Sequence, residues 1–135
     1  MRKDEKLLYE DQLTFEELPD EKKVEDQHLK AIDINTKYNY TNVIGKSKKQ
    51  IGYACAVRLK GIKEFKEVVS NKYLADFIKK NNYLNAPIKL NNLPDRFIEN
   101  YLNARTNAKD IIDDKNNMIE AILNVNKLII HTGRF

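Results

Sequence analysis

The sequence predicts an α+β, mostly helical fold: a small core of two helices with short edge strands, followed by a long C-terminal helix or a helical pair. Three observations predict it. Apolar residues recur at three- and four-residue steps over most of the chain. Two short stretches, 54–59 and 86–90, read as extended. From Pro94 onward, Phe97, Tyr101, Ala104, Ala108, Ile111, Lys115, Met118, Ile122, Val125 and Ile129 hold an unbroken 4-3 alternation.

The elements follow in order. Residues 1–20 are strongly charged and lack sustained periodicity, with Leu7, Leu8, Leu13, Phe15 and Leu18 as apolar anchors, which reads as an arm that docks on a partner. Asp20 is placed to cap a helix running to about Ile34, with Val24, His28, Ala31 and Ile32 on one face. His28 there reads as a packed side chain rather than a ligand. A second helix is expected from near Asn39 to about Tyr53, since Tyr40, Val43, Ile44, Ser47, Ile51 and Ala54 share a face. Cys55, Val57 and Leu59 then alternate, and periodicity leaves helix or strand open for this run. Gly61 is expected to break the chain.

Residues 62–82 read as helical, with Ser70 as an N-cap inside them and Asn81-Asn82 as the stop. Ala86-Pro87-Ile88-Lys89-Leu90 reads as a strand entered through proline, hence at an edge. Pro94 opens the final helical block and Gly133 closes it. The weak point of that block is Asp113-Asp114-Lys115-Asn116-Asn117, where helix propensity is poor and Lys115 falls on the stripe, so one helix and two remain open. The expected organisation is an acidic arm with a short helix over 1–35, a core over 36–90, and a helical extension over 91–135.

Composition narrows the function. One cysteine, Cys55, and two histidines, His28 and His131, exclude a disulfide framework and a Cys/His zinc site built by this chain alone. No apolar run is long enough to cross a membrane. Met1 to Leu8 carries no secretory h-region, and the reading places the protein in the cytoplasm, with the nucleus as runner-up. Charge is segregated. Residues 1–30 hold 6 basic and 10 acidic side chains, net −4; residues 31–90 hold 12 and 4, net +8; residues 91–135 hold 6 of each. A basic body of this kind is attracted to nucleic acid or to an acidic protein surface.

Catalytic constellations are not evident, and no catalytic residue, metal site or cofactor is expected. The glycines stand apart at 45, 52, 61 and 133, so no phosphate loop forms. Asp110, Asp113 and Asp114 share a helix face, which reads as a solvent-facing acidic face beside Lys109 and Lys115 rather than a cation site. Glu64-Phe65-Lys66 matches half of a nuclease signature but lacks the preceding aspartate. A helix-turn-helix over 62–80 would have to turn at Ser70-Asn71 without glycine.

One ordered series is more specific. Thr36-Lys37-Tyr38, Val43-Ile44-Gly45, Gln50-Ile51, Ala56-Val57 and Gly61 follow one another at defined spacing, and Leu74-Ala75 and Ala86-Pro87-Ile88 continue the order. This series resembles the signature of the omega family of small RNA polymerase subunits, in its archaeal and eukaryotic form. The chain departs from the family where Ser47-Lys48-Lys49 replaces an Arg-Ala step before the glutamine, and where Asn39 follows the tyrosine in place of an acidic residue. The resemblance covers about residues 36–90. It implies an omega-like core and a non-catalytic subunit of a multisubunit DNA-directed RNA polymerase. Such a subunit latches onto the largest subunit to aid assembly and stability, and meets nucleic acid only indirectly through the complex.

The partner-binding residues it implies are Thr36, Lys37, Tyr38, Val43, Ile44, Gly45, Gln50, Ile51, Ala75 and Pro87. Gly45 would permit close approach, and Gln50 would bond a partner's backbone. Lys, Asn and Ile supply 49 of the 135 residues, which points to an AT-rich genome such as that of a virus or a plasmid. The alternative reading is a free, basic, helical module that binds DNA or another protein.

Overall fold

A computed structural model describes residues 21–135 apart from Ala86, with side chains described from Leu29 onward. The arm over 1–20, the capping role of Asp20 and the packing of His28 lie outside the described residues. Among these residues there are six helices: α1 (Glu21–Lys37), α2 (Lys48–Val68), α3 (Asn71–Asn81), α4 (Leu93–Ala104), α5 (Ala108–Asp113) and α6 (Met118–His131). No strand occurs among them, and the β component of the expected fold is corrected to a single isolated parallel bridge between Ile44 and Asn107.

The central element is α2. It packs most extensively on α1, then on α5 and α6, with a smaller contact to α4. This explains the run that read ambiguously as a strand. Ala54, Cys55, Ala56, Val57 and Arg58 are all buried, because helices cover α2 on more than one side. Small side chains in succession allow close approach on more than one side, and they carry no readable period of either kind. Gly61 lies inside α2 rather than ending it. A Cβ built there would sit 2.5 to 2.8 Å from Met118 side-chain atoms, so this glycine marks the point where α2 and α6 meet.

The helix expected from Asn39 begins instead at Lys48. Asn39 has φ 58°, a left-handed conformation that ends α1. Ser47 caps α2 by accepting from the Gln50 N–H at 3.0 Å. Between them the chain is a loop. Ser70 caps α3 as expected, accepting from Tyr73 N–H at 3.1 Å. The described part of the expected edge strand at 86–90, residues 87–90, is loop, with Leu90 exposed, since no sheet occurs among the described residues for it to join. Asn71 closes this loop: its Nδ2 donates to Leu90 O and its Oδ1 accepts from Leu93 N–H, both at 2.9 Å.

The long C-terminal block is three helices. It breaks at Asp114–Asn117, as its propensity suggested, and also at Arg105–Asn107. Phe97, Tyr101, Ala108, Ile111, Met118 and Ile122 are buried, while Ala104 and Lys115, at the two breaks, are exposed. Asn126 is fully buried on α6 and donates to Phe97 O at 3.0 Å and Ile122 O at 2.7 Å, locking α6 to α4. Phe97 gathers Phe65, Phe77 and Phe135 around itself at centroid distances of 5.2 to 6.5 Å. No described helix is long and apolar enough to cross a membrane.

Candidate partner-binding surface

The loop between α1 and α2 is built around one buried cation. Arg58 is completely inaccessible to solvent. Its Nη2 donates to Asn35 Oδ1 on α1 and to Thr41 O in the loop, and its Nη1 donates to Thr41 Oγ1 at 3.1 Å. Thr41 Oγ1 in turn donates to Leu102 O at the end of α4, at 2.7 Å. The guanidinium also lies 5.9 Å from the centre of the Tyr40 ring. Among the described residues, all its hydrogen-bond acceptors are neutral, and its Nε has no partner. Burial holds the Arg58 pKa below its ordinary value. Burial pushes the Tyr40 hydroxyl and the Cys55 thiol up, each opposed in part by the Arg58 charge.

The far end of the loop is fixed by backbone bonds. Ile44 N–H donates to Thr106 O, and Ala108 N–H donates to Ile44 O, both at 2.7 Å. The break between α4 and α5 therefore supplies the groups that Ile44 uses. Two apolar side chains project from this pinned segment: Tyr38 is 56% exposed and Ile44 is 64% exposed. Tyr38 leans on Tyr40 with ring centres 5.6 Å apart.

No protein-family model, curated protein or solved structure matches the chain.

The residues named from the sequence fall into distinct positions. Thr36 and Lys37 are exposed at the end of α1, with Thr36 Oγ1 donating to Ile32 O at 3.2 Å. Tyr38 and Ile44 are exposed beside them, while Val43 is buried and Ile51 is partly buried. Gly45 does permit a close approach, to the chain's own helices: a Cβ there would meet Gln50 Oε1 and Ile51 Cγ1 at 2.9 Å and Ala108 Cβ at 3.0 Å. Gln50 Oε1 accepts from Lys46 N–H at 2.7 Å, a reciprocal partner to the Ser47 cap, so this oxygen serves the α2 terminus. Ala75 is half-buried on α3 and Pro87 is exposed in the loop before α4. α3 packs on α4 and α6, so Ala75 and the loop residue Pro87 rest on different elements from the 36–51 group.

Sequence reasoning passed over Arg58, Asn35 and Thr41. The available signal was an arginine in step with Ala54, Ile62 and Phe65 on a helical face, which the extended reading of 54–59 obscured.

Two acidic residues at the end of α5 are internally engaged, while Asp110 is exposed. Asp113 pairs with Lys109 at 3.4 Å, and Asp114 accepts from the buried Tyr101 hydroxyl at 2.9 Å and lies 3.3 Å from Arg105 Nε. Burial, then the Asp114 hydrogen bond, push the Tyr101 pKa upward. No group of side chains suited to hold a metal ion occurs among the described residues.

Proposed function

We propose that the chain is a non-catalytic small subunit of a multisubunit DNA-directed RNA polymerase, docking on the largest subunit through the segment around Tyr38 and Ile44. The omega-like series in the sequence motivates the reading. The observation that carries it further is the pairing of two exposed apolar side chains with a segment tied down at both ends. Exposed apolar groups on a slack loop lose ordering entropy when they bind; groups already held in place lose less. Val43, Gly45, Gln50 and Ile51 serve this reading by shaping the segment, and Tyr38 and Ile44 by meeting the partner.

The remaining exposed parts of Tyr38 and Ile44 set the expected size of the effect. Completing their burial contributes about 1–2 kcal/mol each, or about five- to thirtyfold in affinity. The test is affinity purification of the full chain at high salt. Two very large polymerase chains are expected to stay bound, because the contact is mainly apolar, and Tyr38→Ala combined with Ile44→Asp is expected to release them. Recovery of the chain alone, as monomer or homodimer, would overturn the reading.

A further inference from the structure

A second surface lies on α3, on elements separate from the Tyr38–Ile44 segment. Leu74 and Ile78 bury one side of α3. On the other, Lys72, Tyr73, Asp76, Lys79 and Lys80 are all exposed. At about 3.6 residues per turn these five fall within about 120° of one another, a single continuous face. Tyr83 follows just past the helix, 71% exposed, and its ring rests on the His131 imidazole with centres 4.9 Å apart. Tyr73 is 53% exposed. No ion pair or hydrogen bond among the described residues engages the Lys72, Lys79 or Lys80 ammonium. Asp76 is the one acidic group on the face, which keeps a net charge of +2 from three lysines and one aspartate.

We propose that this face binds single-stranded nucleic acid, with Lys72, Lys79 and Lys80 on phosphates and Tyr73 and Tyr83 under bases. The chemistry matches on both counts. Ammonium groups that no described residue engages gain by displacing counterions from a phosphate chain. Exposed tyrosine rings offer sequence-tolerant stacking platforms, which an unpaired strand can use and a duplex cannot. Tyr83 leans on His131 in a tilted contact and still exposes most of its surface. At about 1.5 Å per residue, the 11 residues of α3 span about 16 Å, the run of about five stacked nucleotides at about 3.4 Å each. An acidic peptide would satisfy the lysines but leave both tyrosines unused.

The test is fluorescence anisotropy of labelled 15-nucleotide oligo(dT) and oligo(U) with the full chain, over a range of salt. Binding is expected for both. Lys72→Gln, Lys79→Gln and Lys80→Gln together should reduce the slope of log K against log salt by about 2, from about 0.7 per phosphate contact. Tyr73→Ala and Tyr83→Ala should each weaken binding about five- to a hundredfold while leaving the slope unchanged. Tyr73→Phe should restore most of the loss. These positions are exposed, so thermal melts should stay superimposable. The control Lys46→Gln, Lys48→Gln and Lys60→Gln removes equal charge elsewhere and should have little effect. The proposal is overturned by any of four results: no binding, equal loss in the control, tyrosine variants that bind normally, or a duplex or poly-glutamate competing as well as the single strand.

Discussion

Replacing Gly61 by alanine adds one methyl group at the crossing of α2 and α6. The new carbon would lie 2.5 Å from Met118 Cε, 2.6 Å from Cγ and 2.8 Å from Cβ. The first two atoms can swing aside, but rotation of the side chain disturbs the Tyr101 hydroxyl, which sits 3.8 Å from Met118 Sδ. The Cβ is fixed to the backbone of α6. Reaching even a tight ordinary contact of 3.4 Å requires the helices to part by about 0.6 Å, the difference from 2.8 Å. Overpacking of a closed core costs about 1–3 kcal/mol. Alanine in place of glycine in mid-helix contributes about 1 kcal/mol in the opposite direction.

Gly61→Ala should therefore lower stability by about 1 kcal/mol and lower Tm by a few degrees, about 3–6 °C for a domain of this size. Thermal and urea denaturation followed by circular dichroism would measure it. Met118→Ala alone should cost about 2–5 kcal/mol by leaving a cavity. In the double variant the added methyl group enters that space, so the two changes should couple favourably by about 1 kcal/mol or more. A rise in Tm for Gly61→Ala alone, as at an exposed helical glycine, would refute the close crossing. So would additivity within about 0.5 kcal/mol.

Three further outcomes are expected. Arg58→Met leaves Thr41 O with its Asn35 Nδ2 partner and Thr41 Oγ1 with Leu102 O, orphaning chiefly Asn35 Oδ1, so removal of the buried cation should offset much of a loss of about 1–3 kcal/mol. Asn35→Leu, which leaves the buried cation with Thr41 alone as acceptor, should cost more in urea denaturation; equal or reversed costs would contradict the account of the loop. Stability should be level in mildly alkaline buffer and fall as pH rises past about 9 and then past about 10, the unfolded values for Cys55 and Tyr101. Both pKa values are raised in the fold, so the folded state holds these protons more tightly and its advantage is lost on the alkaline side. Tyr101→Phe should shallow the upper part of that decline in pH-dependent melts. Tyr38→Ala and Ile44→Asp should each change the free chain's stability by no more than about 0.5 kcal/mol, since both positions are exposed; larger losses in the melt would assign them to the chain's own core.

The parts of the fold legible in the sequence are those set by local chemistry. Ser70, Pro94 and Gly133 mark helix boundaries through their own backbone and capping preferences, and the structure uses each accordingly. Asp113–Asn117 breaks the last block because its propensities are poor. The break at Arg105–Asn107 was hidden because Ala104 and Ala108 keep the apolar step across it, so α4 and α5 both continue the stripe. Tyr40, Val43 and Ile44 mimic a helical face, yet Asn39 turns left-handed before them and Ser47-x-x-Gln50 begins the helix after them. That capping sequence was readable, and the apolar spacing outweighed it. Arg58 was the hardest to find, since an arginine in an apolar run is ordinarily at the surface; only tertiary neighbours 17 and 23 residues away supply its acceptors. Of the candidate surface, the exposure of Tyr38 and Ile44 depends on such neighbours too.

The Ile44 bridge also carries a consequence for the order of events during synthesis. Its partners are the Thr106 carbonyl and the Ala108 amide, and the Thr41 hydroxyl reaches 61 residues ahead to Leu102. Closing loops of that length precedes any reward from the contacts they bring, so these bonds belong to the late stages of folding. A chain still emerging from the ribosome has made Tyr38 and Ile44 long before it has made what holds them in place. The segment becomes a finished shape only after α5 arrives. A partner that docked on this shape, as proposed, would distinguish completed chains from interrupted ones.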